Sequence, residues 1–344
     1  MIKENIVQGN YNAAQELILD DMLAKQDVAS AEYIDSMKYE IERLDRIKME
    51  FTLDSSQVLE KIRKYVPGAK NKDLMKWVDQ QYLESKIIEG EIKYYNQSVE
   101  NLFRVHPELS IIKARADSAA TDQRKVRKYV SFPLDLHLKR IKREYQKKKN
   151  KYLLPVTINI IHTLTVKEES VPDSTILKCW LPFPREIPNQ QYNVKRITSD
   201  PHVHLISEND KPQRTIFMQS LAKPDTTTEF MVEYEFTSRA VYNDIDPKKV
   251  KPIEEFDGLR RYIQPRPPHV VFSKGIDELS QFIVGDETNP YLIAKKLFTW
   301  IDKNVKWANI REYSTIKSLG LYAFFYKQGD AGIKTFLFMT LCRY

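Results

Sequence analysis

Glycine is scarce in this sequence: nine residues in 344, spread thinly, with neither a GxxxxGK[ST] nor a GxGxxG arrangement. A loop that cradles phosphates needs closely spaced glycines so that backbone N–H groups can approach the ligand, and nucleotide-dependent chemistry is therefore not expected. Cysteine is scarcer still. Cys179 and Cys342 fall in different predicted domains and are too few for a disulfide framework or a zinc site. No apolar run reaches the roughly eighteen residues that a membrane-spanning helix needs. The start, MIKENIVQGN, has no hydrophobic h-region, so no signal peptide is expected in the sequence as it stands.

What is present is ordinary for a globular protein: 42% hydrophobic and 29% charged residues. A chain of 344 residues is long enough for two or three cores. Shifts of pattern divide it into three segments, 1–150, 151–250 and 251–344, and the fold class expected is multidomain α+β. The net charge of +7 is modest and partly local, concentrated in KRIKREYQKKKNK, Lys139–Lys151. A nucleic-acid surface would carry stacking aromatics or a known motif, and only Tyr145 and Tyr152 are near; a solvated helix end leading into a linker is expected, with no nucleic-acid partner.

Residues 1–150 read helical. Ile34, Met37, Ile41, Leu44 and Ile47 recur at helical spacing, Asp54 caps a second stripe of Val58, Ile62 and Tyr65, and Pro67-Gly68 ends it. A long helix is predicted from about Asp73 to Leu102. From Leu153 to Tyr242 the period becomes two. In TEFMVEYEFT, Phe230, Val232, Tyr234 and Phe236 alternate with glutamates, and PVTINIIHTLTV, STILKCWLP and RTIFMQS read as further strands of an antiparallel sandwich-like domain. The proline-rich IQPRPPHVVF, Ile263–Phe272, is an extended connector. Asn289-Pro290 then opens a helix with a broad apolar face of Leu292, Ile293, Leu297, Phe298, Ile301 and Val305.

The last nineteen residues, YKQGDAGIKTFLFMTLCRY, place a Gly329-Asp330 turn and cap before a helix from Ala331 to Arg343. Phe336, Leu337, Phe338, Met339 and Leu341 leave it no polar stripe, so it is expected to be buried. A residue at 331 would sit among unpaired N–H groups at the positive end of the helix dipole. A cysteine there would have a lowered pKa and an oxyanion site.

The remaining candidates read as structural. His202 and His204 stand two apart and could grip a metal, but no third ligand accompanies them; no metal and no cofactor are expected. His106, His137, His162 and His269 are scattered. Cys342, three turns beyond Ala331, reads as a small buried hydrophobe, and Asp330 reads as a cap, with a general base as the alternative. Trp300 reads as core. Trp307 is open between core and the wall of a cleft.

NPYLIAKKLFTWIDKNVKWA followed by QGDAGIKTFLFMTLCRY resembles the opening half of the transglutaminase-like (papain-like) cysteine peptidase and acyltransferase core of bacterial type, whose nucleophile helix begins Gly-Asp-Cys-Gly. TILKCWLPFPRE resembles the β-domain that precedes such cores, and ERLDRIKMEF, IRKYVP and IIEGEIKYYNQSVENLF resemble the helical region before it. The resemblance implies a helical domain at 1–150, a β-sandwich-like domain at 151–250 and an incomplete transglutaminase-like core at 251–344. It puts Ala331 at the position of the nucleophilic cysteine, with the backbone N–H there as oxyanion donor. The family cleaves or transfers acyl groups from amides through a thiol. Without a cysteine at 331, and with the partner histidine and aspartate falling beyond Tyr344, the chain is expected to be inactive. Leaving the terminal helix uncovered would expose large side chains at about 1.5–3 kcal/mol each, so a fragment of a longer protein is expected. A peptide or protein ligand and an exported or cell-envelope location are implied. The alanine is either natural, in a pseudoenzyme, or altered in an otherwise active enzyme. The alternative function is a non-catalytic binding or scaffold protein that uses the β-sandwich and helical domains.

Overall fold

The computed structural model describes residues 1–121, 134–168, 170–252 and 257–344. It is mixed helix and sheet, with its longer strands paired antiparallel. The chain packs as two compact units, Met1–Arg127 together with Asp246–Tyr344, and Lys128–Ile245. The first unit therefore draws on both ends of the sequence.

Its N-terminal part holds α1 (Ile2–Gln8), α2 (Tyr11–Ala24), α3 (Ala31–Glu50), α4 (Ser55–Arg63) and α5 (Asn71–Asp79). Ser30 caps α3 by accepting from the Tyr33 N–H, and Asp54 with Gln57 forms a reciprocal capping box on α4. Leu44 and Ile47 of the predicted stripe are buried with Tyr11, Ile18 and Phe51, while Met37 and Ile41 pack at the margin of that cluster. Val58 and Ile62 meet Leu74, Trp77 and Leu102 in a second cluster.

The long helix predicted from Asp73 to Leu102 does not form. After α5 the chain makes a hairpin, β1 (Ser85–Ile88) and β2 (Glu91–Tyr94), and only then α6 (Ser98–Val105) and α7 (Pro107–Thr121). Glu89 and Gly90 both have positive φ, 49° and 80°, which is the two-residue turn whose twist suits a hairpin. Burial follows the period of two: Ile88 and Tyr94 are inside, Ile87 and Ile92 outside.

Among the described residues the second unit opens with α8 (Leu134–Lys148), which carries most of the basic run. Ile141 is buried, Tyr145 meets Tyr242 in a tilted contact at 4.5 Å, and the lysines and arginines of the run are at the surface. Strands β3 (Tyr152–Val166), β4 (Ile176–Pro182), β5 (Gln191–Asp200), β6 (Val203–Ile206), β7 (Thr215–Leu221) and β8 (Thr228–Val241) make two antiparallel sheets of order β3-β8-β5 and β4-β7-β6. Phe230, Val232 and Tyr234 of the first sheet share a core with Cys179, Leu181, Ile216 and Met218 of the second. Glu233, at one of the intervening positions of β8, accepts from Asn159 Nδ2 at 2.9 Å.

The chain then returns to the first unit with α9 (Arg260–Ile263), α10 (Lys274–Val284), α11 (Pro290–Asn304), β9 (Lys306–Trp307), α12 (Leu319–Tyr326), β10 (Gln328–Gly329) and α13 (Ala331–Arg343). In the proline-rich connector, Arg266 and Val270 exchange backbone hydrogen bonds of 2.8 and 2.9 Å, closing a loop. Asn289 Oδ1 accepts from the N–H groups of Tyr291 and Leu292, with Pro290 at the first helical position. Leu297, Ile301 and Val305 are buried with Leu319, Ala323, Ile333, Leu337 and Leu341. Phe298, predicted on the buried face, points outward and meets Phe338 edge-on at 6.2 Å. Successive helical residues are about 100° apart, so Leu297 and Phe298 cannot both face the core.

The two ends of the sequence are joined within this unit by residues 308–317. Asn101 donates to the Asn309 carbonyl at 2.7 Å and accepts from its N–H at 2.8 Å. Arg46 donates to Ser314 Oγ at 3.1 Å. Arg311 Nε donates to Glu84 Oε1 at 2.9 Å, and the two side chains are 7% and 8% exposed. Tyr322 donates to the other Glu84 oxygen at 2.9 Å, and Arg311 also donates to the Thr315 carbonyl and hydroxyl. Removing one partner of a buried pair strands the other charge, which costs about 3–5 kcal/mol. Glu84→Gln and Arg311→Met are each expected to lower unfolding free energy by about that amount in urea titrations. The double variant should lose less than the sum of the two.

Candidate functional site

The start of α13 is set by the short parallel pair β9 and β10, in which Gly329 lies opposite Trp307. A side chain at 329 would run into Ile333, so the strand can approach the helix this closely only at a glycine. Asp330 Oδ1 accepts from the Ile333 N–H at 2.9 Å and from the Tyr313 hydroxyl at 2.6 Å. Asp330 thus acts as a cap with both bonds made. Gly332 is the second close approach, since a Cβ there would strike the Tyr313 hydroxyl.

Ala331 is exposed, and its carbonyl accepts from Thr335 Oγ1 at 2.7 Å. The next buried residue, Ile333, roots the helix in the core. Among the described residues the N–H groups of Ala331 and Gly332 have no acceptor. Two donors without a protein acceptor and the positive end of a thirteen-residue helix therefore lie at this point, beside the exposed Ala331. Such an arrangement favours negative charge and is what a developing oxyanion needs. Trp307 is 48% exposed, with the Arg104 guanidinium 4.4 Å above its ring. It is a surface aromatic beside the entry to the helix rather than part of the core. Trp300 packs against the core, with Lys327 4.9 Å over its ring.

Burial, and then the hydrogen bond to Asp330, push the Tyr313 phenol up to about 12. Cys342, predicted to be a buried hydrophobe, is instead exposed on the last turn of α13. Partial enclosure of its sulfur pushes the thiol up to about 11, the opposite of an activated nucleophile. His202 and His204 are exposed, and the bulge between Val203 and Leu205 breaks the alternation that would have put them on one face. His106 meets Tyr82 in a tilted contact at 4.7 Å, and His269 lies edge-on to Phe336 at 5.8 Å. Among the described residues no group of three or more His, Cys, Asp or Glu could hold a metal ion, and no helix is long and apolar enough to cross a membrane.

The Tyr313–Asp330 bond and the Arg311–Glu84 pair had no periodic signature in the sequence. No local signal marked them: Arg311 is followed directly by Glu312 in WANIREYSTI, so the sequence offers a neighbouring charge rather than the distant Glu84.

The chain matches no protein-family model and no curated protein. Among solved structures it is similar to a candidate cysteine protease from Cytophaga hutchinsonii, at 15% identity and a TM-score of 0.41, over 55% of this chain and 65% of that one. The match therefore spans slightly less than two thirds of that structure.

Two outcomes test this geometry. The folded Tyr313 phenol is raised from 10.0 to about 12, so its contribution to stability is complete below pH 10 and is lost as pH rises through about 12. Urea midpoints should fall over that window, and Tyr313→Phe should fall less than the parent. Alkylation of Cys342 at pH 8 is expected to be much slower than that of free cysteine, whose pKa is about 8.5. A rate equal to that of the free thiol would contradict the enclosure of its sulfur.

Proposed function

We propose that Asn289–Tyr344 is the opening half of a transglutaminase-like core and that Ala331 occupies the place of its nucleophilic cysteine. With a methyl group where the sulfur would be, the chain does not carry out thiol-dependent amide cleavage or acyl transfer. It retains the surface that would hold a peptide or protein. The segments 1–150, 151–250 and 251–344 belong to this reading as helical region, β-domain and core, and the exported or envelope location goes with it.

One observation carries the proposal. The residue at 331 is open to solvent at the first turn of an otherwise rooted helix, with two unpaired N–H groups at its start. The spacing of Gly329 and Gly332 supports it as well. Both glycines sit at close approaches, to Ile333 and to the Tyr313 hydroxyl, which is in keeping with the Gly-Asp-X-Gly pattern.

The test is to place sulfur at the site. In a Cys342→Ser background, Ala331→Cys should yield a thiol whose alkylation rate has its pH midpoint about one unit or more below the ordinary 8.5, because the helix end and free N–H groups favour the thiolate. Cys179 is buried with its thiol pushed upward by that burial, so it will not obscure the reading. A midpoint at or above 8.5 would overturn the assignment and leave the scaffold function in its place.

A further inference from the structure

A cleft of about 800 Å³ opens in the first unit between α1, α2, α3, β1, residues 268–269 and residues 311–317. Ile6, Ile47 and Ile316 give it apolar walls. Its charged lining is mostly cationic, with Lys3, Arg43, Lys86, Arg311 and Lys317 against the single carboxylate of Glu40.

The two arginines are already matched. Arg43 grips both oxygens of Glu40 at 2.7 and 2.6 Å, and Arg311 is held from behind by Glu84. The three lysines have no carboxylate partner among the described residues. Lys3 and Lys317 are exposed, so water serves them. Lys86 is different. It is half-buried, its ammonium lies 5.6 Å over the Phe51 ring, and burial together with the neighbouring Arg311 holds its pKa below the ordinary lysine value. The nearby carboxylate of Glu84 is already bonded by Arg311 and Tyr322, so this partly desolvated ammonium, with Arg311 and Arg43 also in its field, has no ion-pair partner of its own.

We propose that this cleft binds an acidic peptide, with a glutamate or aspartate carboxylate seated on Lys86 and the flanking chain passing Lys3 and Lys317 along the isoleucine walls. The size fits: such sites usually enclose about 300–1,000 Å³, far more than one carboxylate fills. The donor set points to carboxylate rather than phosphate. Phosphate recognition favours the two-pronged guanidinium fork; that of Arg43 is taken by Glu40, and Arg311 is engaged by Glu84 and by the Thr315 carbonyl and hydroxyl, which leaves ammonium point charges. The proposal is independent of what stands at position 331.

The experiment uses the full chain and fluorescence anisotropy with a fluorescein-labelled, glutamate-rich peptide and its glutamine counterpart of equal length. The glutamate peptide should bind at least about tenfold more tightly than the glutamine one, a difference of roughly 1.4 kcal/mol. Lys86→Gln and Lys317→Glu should each weaken it several-fold. Lys317 is exposed, so its variant will fold even if the Lys86 variant does not, and circular dichroism checks both. The proposal fails if the glutamate peptide does not bind, if the two peptides bind alike, or if the Lys317 variant binds as the parent does. It also fails if glutarate or inorganic phosphate displaces the peptide at the peptide's own dissociation constant, which would make the site one for a small anion.

Discussion

The buried pair of Glu84 and Arg311 is the constraint on which the first unit depends. Neither charge could be enclosed alone, because desolvation would push it back toward water or neutralise it. Each is supplied by a different end of the sequence, Glu84 just before the hairpin and Arg311 just after β9. The helical N-terminal part is therefore no detachable appendage to the helices after Asp246. It supplies the counter-charge that lets residues 308–317 lie inside the unit. Tyr322 completes the arrangement by donating to the second carboxylate oxygen, and burial with that nearby carboxylate raises its phenol well above 10.

The position of that segment fixes the chemistry at the start of α13. Tyr313 lies two residues from Arg311, and its hydroxyl both holds the Asp330 cap and closes the space above Gly332. Asp330 Oδ1 thereby accepts from both the Ile333 N–H and the Tyr313 hydroxyl. What remains at the helix start is a pair of N–H groups and an exposed methyl. The same segment contributes Arg311 and residues 314–317 to the cationic cleft. One stretch of backbone, anchored by one ion pair, thus serves two surfaces.

Legibility in the sequence followed the locality of the interactions. The Asn289-Pro290 start of α11 and the Asp330 start of α13 were readable because a capping side chain bonds N–H groups two or three residues on. Strand β8 was readable because its period-two alternation is strong. Strand β5 was not: NVKRITSD is mostly polar, and its pairing to β8 slips register twice. The hairpin at 85–94 was hidden by residues that score equally as helix, and only the Glu89-Gly90 turn gave it away. Phe298 and Cys342 were misplaced for one reason. In a helix that is apolar on most sides, composition does not say which side faces the core.

Residues far apart in sequence escaped detection altogether, and these hold the site. Nothing near Arg311 in the chain announces Glu84, 227 positions away. An apolar plug of similar volume would fill the same space and stabilise it about equally, since buried ion pairs seldom exceed their hydrophobic replacements in net stability. What apolar contact cannot supply is direction. The Arg311 guanidinium is held by Glu84 on one side and by the Thr315 carbonyl and hydroxyl on another, so the segment cannot slide by a residue without breaking bonds to a buried charge. A slip of one residue would carry Tyr313 off Asp330 and uncover Gly332. The ion pair is better understood as a device for register than for stability, and the geometry at Ala331 is what that register secures.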